Sequence, residues 1–312
     1  MEAGYQNTEV NQSFYLQVDD QHKLYVEDCG NTKGQPVIFL HGGPGSEITP
    51  SCRLFFDPEK YHIILFDQRG TGKSKPFLST KNNTPFDSVR DMELIREYYG
   101  YDNWFVFGGS YGSTLALVYA ILHPERVEQL ILRGIFLGRQ EEIEWLYEGG
   151  AAKFYPEAYE KYLSLLSDEE QKNCVHAYYQ KIHQGDKEAH QAACRYWTKW
   201  ESSLLTLLPH FPEEDQLSPS EEATAVLESH YFENHMFFEE DNYILNNVHR
   251  FNDIPMEIVQ GRYDVICPPN SAYQLHQACP KSNLHLVEAS GHSPYDPEML
   301  KTIVAIMDQL AE

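Results

Sequence analysis

A short turn between a strand-like run and a helical pattern restricts the possible folds of this chain more than any other feature. Residues 104–107 are all apolar, residues 113–120 open an amphipathic helical pattern, and Gly108-Gly109-Ser110-Tyr111-Gly112 lies between them. Small residues around Ser110 permit a strained turn that lifts the serine hydroxyl out of a sheet. The pattern therefore predicts a buried strand, a sharp turn that presents Ser110, and a helix.

A similar alternation runs through the first 135 residues. Six strands are predicted there: residues 14–18, 24–27, 37–40, 63–66, 104–107 and 130–132. The first two have the pattern of an antiparallel pair at a sheet edge, and the other four that of buried parallel strands. The clearest intervening helical patterns are residues 88–99 and 113–123. This alternation predicts an α/β fold, with a mostly parallel sheet flanked by helices.

The composition changes after Gly138. From there to about residue 247 the chain is rich in Glu, Tyr, Trp, Gln and His, with helical periodicity and no strand-like run. Strand patterns return at residues 256–261 and 284–288, before a final helical pattern near 299–310. We therefore predict a core domain of residues 1–138 and 248–312. An all-helical cap of residues 139–247 is inserted after the sixth strand, and residues 208–219 are its best candidate for an exposed loop.

The charge balance excludes some classes of partner. The 312 residues include 47 acidic and 24 basic side chains, which gives a formal net charge of −23. This charge disfavours nucleic acids and anionic membranes, and it slightly favours cationic ligands. No apolar stretch approaches the roughly 20 residues needed to cross a bilayer.

Two further features concern the cellular compartment. Residues 1–6 lack both a basic segment and an apolar segment, so we expect no secretory signal. The six cysteines are scattered without a C-x-x-C pair. Together these features favour reduced thiols in a cytoplasmic protein.

A serine nucleophile requires a base and an orienting acid, which on an α/β sheet follow later strands in the order Ser, Asp or Glu, His. Asp264 follows the strand pattern at 256–261, and His292 follows the one at 284–288. The spacing between them accommodates one helix and one strand. We predict that Ser110, Asp264 and His292 form a catalytic triad.

A tetrahedral intermediate also requires hydrogen-bond donors. Residues 41–45, His-Gly-Gly-Pro-Gly, directly follow the strand pattern at 37–40, and their glycines allow the backbone to turn closely around an oxyanion. The backbone N–H groups of Gly43 and Tyr111 are the candidate donors. Residues 70–74 lack the first glycine of a phosphate-binding loop, and the chain contains no H-E-x-x-H zinc motif.

In five segments the chain resembles the proline iminopeptidases, serine peptidases of the α/β-hydrolase superfamily. The segments are residues 41–45, 67–74 (Asp-Gln-Arg-Gly-Thr-Gly-Lys-Ser), 108–117, 261–264 (Gly-Arg-Tyr-Asp) and 291–293 (Gly-His-Ser). The resemblance extends over nearly the whole chain. It implies an α/β-hydrolase fold and release of an N-terminal proline from small peptides, and we expect neither a metal nor a cofactor.

The resemblance also implies how substrate is recognised. It assigns binding of the free amino end to Glu201 and Glu228 in the cap. Two carboxylates suit this role because an N-terminal proline is a secondary ammonium with two donor hydrogens. An apolar slot for the pyrrolidine ring is implied at Phe136, Phe232 and Cys267.

One position departs from the family pattern. Near residues 145–147, Leu146 occupies a place where a tyrosine lining the slot is expected, and Tyr147 is adjacent. The shape of the slot, and with it the selectivity for proline over alanine, depends on this position.

Three functions from different classes are compatible with the motifs. The first is a serine aminopeptidase that forms a prolyl ester on Ser110. The second is a carboxylesterase, a lipase or a broader-specificity aminopeptidase on the same fold, although the acid-rich cap argues against long apolar substrates. The third is a non-catalytic binding protein, which the presence of all three triad residues disfavours.

Overall fold

A central sheet organises the computed structural model, which describes residues 4–6, 8–208 and 216–312. Its strands are β1 (Val10–Gln17), β2 (Lys23–Gly30), β3 (Gln35–Leu40), β4 (Tyr61–Phe66), β5 (Trp104–Gly109), β6 (Val127–Arg133), β7 (Met256–Gly261) and β8 (Ser282–Val287). The strand order is β1-β2-β4-β3-β5-β6-β7-β8. The β1–β2 and β2–β4 pairs are antiparallel, and all other neighbours in the sheet are parallel.

The predicted fold class and the antiparallel edge pair are confirmed. Several strands extend beyond the predicted bounds, and β1 differs most because it begins at Val10. Residues 10–13 have no buried side chain, so no apolar alternation marks them in the sequence. Their strand conformation comes from pairing with β2, where Val10 lies opposite Cys29.

Helices cover both faces of the sheet. The described residues form α1 (Pro85–Tyr99), α2 (Tyr111–Leu122), α3 (Gln140–Tyr147), α4 (Pro156–Leu163), α5 (Cys174–Gln184), α6 (Lys187–Ser202), α7 (Pro219–Glu233), α8 (Tyr243–Asn246), α9 (Pro269–Ala278) and α10 (Pro297–Leu310). None of these helices has both the length and the apolar character required to span a membrane.

The side-chain alternation of the strands divides the core in two. On one face Ile38 and Ile64 belong to a cluster with residues of α1, α2 and α9. On the other face their neighbours Val37 and Ile63 pack with α10, through Ile303 among others. Because both faces are buried, the parallel strands consist of nearly continuous apolar runs.

Helices α3 to α8 form the segment between β6 and β7. Stacked aromatic rings hold this segment together, including Tyr162 on Tyr178, with ring centroids 4.6 Å apart, and Tyr147 on Trp197, with centroids 4.0 Å apart. Such pairs contribute about 0.5–1.5 kcal/mol each beyond the area that they bury. At the end of the segment, Tyr243 of α8 packs edge to face on Phe86 of α1, with centroids 5.9 Å apart.

Helix α7 lies directly on the loop that follows β3. A Cβ atom added to Gly45 would lie 2.6 Å from the Ala223 carbonyl oxygen, so no larger residue fits between this loop and α7. The close approach places α7 above the carboxyl ends of the strands.

In the loop predicted at 208–219, Leu208 is 83% exposed, and residues 209–215 lie outside the described residues.

Candidate active site

Ser110 occupies a strained turn between β5 and α2. Its backbone angles are φ 57° and ψ −129°, a combination that residues with a side chain rarely adopt. Flanking glycines make the turn possible, because a Cβ atom on Gly108 or Gly112 would lie 2.2 Å from a backbone oxygen. The Ser110 N–H donates to the Arg133 carbonyl at 2.9 Å. Neighbouring strands therefore support the turn that presents the serine.

His292 and Asp264 are in direct contact. His292 Nδ1 lies 2.8 Å from Asp264 Oδ2, and both residues are buried. The Asp264 carboxylate is held in place by the Cys267 N–H at 2.8 Å and by Gln260 Nε2 at 3.1 Å. Two donors besides the histidine therefore fix the orientation of the carboxyl group.

Arg133, the last residue of β6, was not predicted and lies beside this pair. Its Nη1 donates to the His292 carbonyl at 2.7 Å and is 3.3 Å from His292 Nε2. Because a guanidinium can only donate, this contact favours the tautomer with the proton on Nδ1, facing Asp264. The available sequence signal was a charged residue ending an apolar strand at the same sheet edge as Ser110.

Ser110 and His292 form no hydrogen bond within the described part of the chain, although both contact the end of β6. Gly134 lies against the His292 ring, since its added Cβ atom would be 3.1 Å from His292 Cε1. The Ser110 N–H is bonded to the residue before this glycine. Hydrogen bonds between a nucleophile and its base are often long before substrate binds.

The two candidate oxyanion donors belong to elements that border Ser110. Tyr111 is the first residue of α2, where a backbone N–H has no partner within the helix and the helix dipole favours negative charge. Gly43 lies in the loop after β3 and lines the same pocket as Ser110. A Cβ atom added to the preceding Gly42 would be 3.3 Å from Ser110 Cβ.

A narrow pocket beside Ser110 brings the predicted recognition residues together. Its lining comprises Gly43, Ser110, Phe136, Glu142, Ile143, Leu146, Tyr147, Glu201, Glu228, Phe232, Ile266 and Cys267. The rings of Phe136 and Phe232 meet edge to face with centroids 6.0 Å apart. A wider surface cleft between α4 and α6 contains none of the predicted residues. The pocket therefore combines apolar side chains with the carboxyl groups of Glu142, Glu201 and Glu228.

Glu228 is fixed by two aromatic donors within the cap. Trp197 Nε1 donates to Glu228 Oε2 at 2.7 Å, and the Tyr147 hydroxyl donates to the same oxygen at 3.2 Å. Tyr147 and Trp197 also stack on each other, which orients both donors. Nothing in the sequence connects these two aromatics with Glu228, because the contacts join three separate helices.

Glu201 completes an acidic pair with Glu228. The two carboxyl groups line the same pocket and lie close enough for each to influence the pKa of the other. Burial raises the pKa of Glu201, and burial together with the Glu201 charge raises the pKa of Glu228 well above its usual range. Two neighbouring carboxyl groups in a desolvated site cannot both ionise easily, so the pair holds a proton more readily than two exposed carboxylates.

The two other polar residues of the lining differ in character. Glu142 accepts the backbone N–H of Arg139 at 3.0 Å and the Ser271 hydroxyl, so its carboxylate organises the start of α3. Burial, with the nearby charges of Asp264 and Glu142, raises the pKa of the Cys267 thiol well above its usual value. Cys267 therefore presents a neutral thiol to the pocket.

Residues 35–298 match the family model of the α/β hydrolase fold. Among solved structures, an esterase from Exiguobacterium antarcticum has a TM-score of 0.66 and 21% identity, over 96% of this chain and 100% of that chain. An α/β fold family hydrolase from Bacillus anthracis str. Sterne has a TM-score of 0.61 and 19% identity, over 96% and 99%. These similarities show the fold.

Similarity in sequence is higher to a narrower group. The chain is 46% identical to the proline iminopeptidase of Arabidopsis thaliana, over 95% of this chain and 78% of that protein. It is 44% identical to that of Xanthomonas citri, over 95% of both chains, and 43% identical to that of Neisseria gonorrhoeae, over 97% of this chain and 98% of that protein. The chain belongs to the proline iminopeptidase family of the α/β hydrolases.

Proposed function

We propose that this protein is a serine aminopeptidase that releases an N-terminal proline from small peptides. The observation that carries the proposal is the pocket in which Ser110 shares one lining with Glu201 and Glu228. A serine nucleophile alone suits many esters and amides. An acidic pair beside it suits a substrate whose cationic amino group lies next to the bond that is cleaved.

Binding begins with the substrate's amino end. The prolyl ammonium donates its two hydrogens to Glu201 and Glu228, and the ring packs against Phe136, Phe232 and Cys267. A blocked or internal proline has no charge to offer, so the pocket would be left with desolvated carboxyl groups that lack a donor. The same contacts hold the scissile carbonyl close to Ser110.

Acylation begins with proton transfer from Ser110 to His292. Its Nε2 exchanges the contact with Arg133 Nη1 for the Ser110 hydroxyl and takes that proton while Oγ attacks the prolyl carbonyl carbon, and Asp264 stabilises the resulting imidazolium. The N–H groups of Gly43 and Tyr111 donate to the oxyanion. As the C–N bond breaks, the histidine proton passes to the departing amine, which leaves a prolyl ester on Ser110.

Deacylation repeats the same steps with water. His292 Nε2 accepts a proton from water as the water oxygen attacks the ester carbonyl. Collapse of the second tetrahedral intermediate breaks the ester bond, and the proton returns to Ser110 Oγ. Free proline then leaves the pocket, and the triad is restored.

Turnover of a proline arylamide by the native chain and by Ser110→Ala tests this assignment. The native chain is expected to release the arylamine, and acid quenching during turnover is expected to trap one prolyl group on the peptide that contains Ser110. Ser110→Ala should lose about 10⁶-fold in kcat. Undiminished turnover by this variant, or a prolyl group trapped on another residue, would contradict the proposal.

A further inference from the structure

The loop from His41 to Ile48 carries Gly43 and is held at both of its ends by one dipeptide, Asp67-Gln68. This loop follows β3 and passes beside Ser110. The dipeptide directly follows β4, the neighbouring strand. None of the steps described above uses its side chains, although both residues are buried.

Gln68 holds the beginning of the loop. Its backbone N–H donates to His41 Nε2 at 3.0 Å, and its side-chain Nε2 donates to the His41 carbonyl at 3.0 Å. Burial lowers the pKa of His41 to about 4, so the ring is neutral at pH 7 and Nε2 can accept. Two hydrogen bonds therefore fix the residue from which the loop departs.

Asp67 holds the end of the loop. Its Oδ1 accepts the Ile48 N–H at 2.8 Å, and its Oδ2 accepts the Lys73 N–H at 2.8 Å. A Cβ atom added to Gly72 would lie 2.3 Å from Asp67 Oδ2, so the carboxylate has little room to move. The two oxygens thus connect the Gly43 loop to a second, rigid turn.

The carboxylate is ionised under neutral conditions. Burial raises the pKa of Asp67 to about 6, and the charge of Glu47 adds to this effect. The N–H groups of Ile48 and Lys73 and the Lys73 charge act in the opposite direction. At pH 7 both oxygens therefore accept hydrogen bonds, as the geometry requires.

We propose that Asp67 is a positioning residue for the reaction, which fixes the Gly43 N–H at the oxyanion by anchoring the far end of its loop. The inference rests on the proposed function, since it assumes that Gly43 stabilises the tetrahedral intermediate. Asp67 touches no reacting atom. Its effect on catalysis passes through the loop backbone, and it should influence the transition state more than substrate binding.

Asp67→Asn in the full chain tests this role. The amide keeps one acceptor oxygen but directs an NH₂ group at the Ile48 or Lys73 N–H, so the loop must shift. We expect kcat for a proline arylamide to fall by about 10²-fold, with KM changed by less than about 2-fold. The inhibition constant of prolinal, an aldehyde that forms a tetrahedral adduct with serine, should rise by a similar factor, whereas that of pyrrolidine should not change.

Two other variants make the result decisive. Asp87→Asn is the control. Asp87 lies on α1 and accepts the Thr84 hydroxyl, and its replacement should leave the ratio of the prolinal and pyrrolidine inhibition constants unchanged. Gln68→Met removes the side-chain hydrogen bond at the other end of the loop and keeps the one from the Gln68 backbone N–H. It should reproduce the selective loss of prolinal affinity, and it decides the question if Asp67→Asn does not fold.

Two outcomes separate this inference from the proposed function. In the first outcome, the native enzyme cleaves the arylamide, but Asp67→Asn and Gln68→Met weaken the binding of prolinal and of pyrrolidine equally. This outcome would overturn the positioning role alone. A native enzyme that neither cleaves the arylamide nor binds prolinal more tightly than pyrrolidine would overturn the proposed function.

Discussion

The carboxyl groups of Glu201 and Glu228 line one pocket with Ser110, and each lies close enough to the other to influence its pKa. The Tyr147 hydroxyl and Trp197 Nε1 both donate to Oε2 of Glu228. Their raised pKa values favour a proton on the pair without substrate, and a cationic amine that binds both carboxylates displaces it. Binding therefore replaces the proton on the pair with the positive charge of the substrate's amino group.

This exchange predicts proton release on binding. The pKa values of the pair are raised in the free protein and fall when an ammonium binds. The affinity for the ammonium should therefore increase as the pH rises from the pKa of the bound state to that of the free state. Calorimetric titration of Ser110→Ala with prolinamide, in buffers of different ionisation enthalpy, should show about one proton released per site. Glu201→Gln serves as the matched variant. It should release fewer protons, because the Glu201 charge no longer raises the pKa of Glu228, and equal proton release by both proteins would contradict the coupling between the two carboxyl groups.

Replacement of Asp264 by asparagine should affect chemistry rather than binding. The Cys267 N–H still finds an oxygen acceptor, but the amide NH₂ replaces the acceptor that His292 Nδ1 requires. His292 then favours the tautomer with its proton on Nε2, which cannot take the Ser110 proton. We expect kcat to fall by about 10⁴-fold, with KM little changed and Asp87→Asn as a control. A loss smaller than about 10-fold would contradict the role assigned to Asp264.

Modification of Cys267 should block the proline slot, but slowly. The raised pKa and 5% exposure of this thiol predict slow alkylation by iodoacetamide at pH 7 and faster alkylation at higher pH. Bound proline should protect activity. Cys52 is equally buried but lies outside the pocket, so Cys267→Ala should abolish the sensitivity and Cys52→Ala should retain it. Full activity after complete alkylation of Cys267 would remove it from the slot.

Leu146 should set the size of the ring that the slot accepts. It is 8% exposed and lines the pocket, whereas Leu166 is 6% exposed elsewhere in the cap. Leu146→Ala should raise the ratio of kcat/KM for the six-membered pipecolyl arylamide over the prolyl arylamide by about 10-fold, since one methylene contributes about 1–3 kcal/mol. Leu166→Ala, with a similar cost in stability, should leave the ratio unchanged. An unchanged ratio in Leu146→Ala would exclude this leucine from ring selection.

Features of the fold that depend on neighbouring residues were predictable from the sequence. The glycines around Ser110 predict the strained turn there. Parallel strands buried on both faces appear as apolar runs such as residues 63–66. The order of Ser110, Asp264 and His292 along the chain predicted which strand ends carry them. The contact between His292 and Asp264 agrees with that order.

Features that depend on distant residues were not predictable. Residues 10–13 join β1 only because β2 offers them hydrogen bonds. Arg133 reaches His292 across 159 positions, and Trp197 donates to Glu228 from a different helix. Asp67 was visible only as part of a family motif, because its role depends on where the Ile48 N–H lies in space.

The most direct test of the account is the discrimination between a free and a blocked amino group. It is measured as the ratio of kcat/KM for a proline arylamide to that for its N-acetylated form, with a short-chain aryl ester as a check of the triad. The account predicts a ratio of at least about 10³ for the native chain, because a blocked substrate leaves a buried acidic pair without its donor.

The same measurement on Glu201→Gln and Glu228→Gln completes the test. Each variant should lose most of the discrimination, chiefly through a higher KM for the free substrate, while hydrolysis of the ester continues at the native rate. Equal cleavage of the free and acetylated substrates by the native chain, or unaltered discrimination in both glutamine variants, would contradict the account.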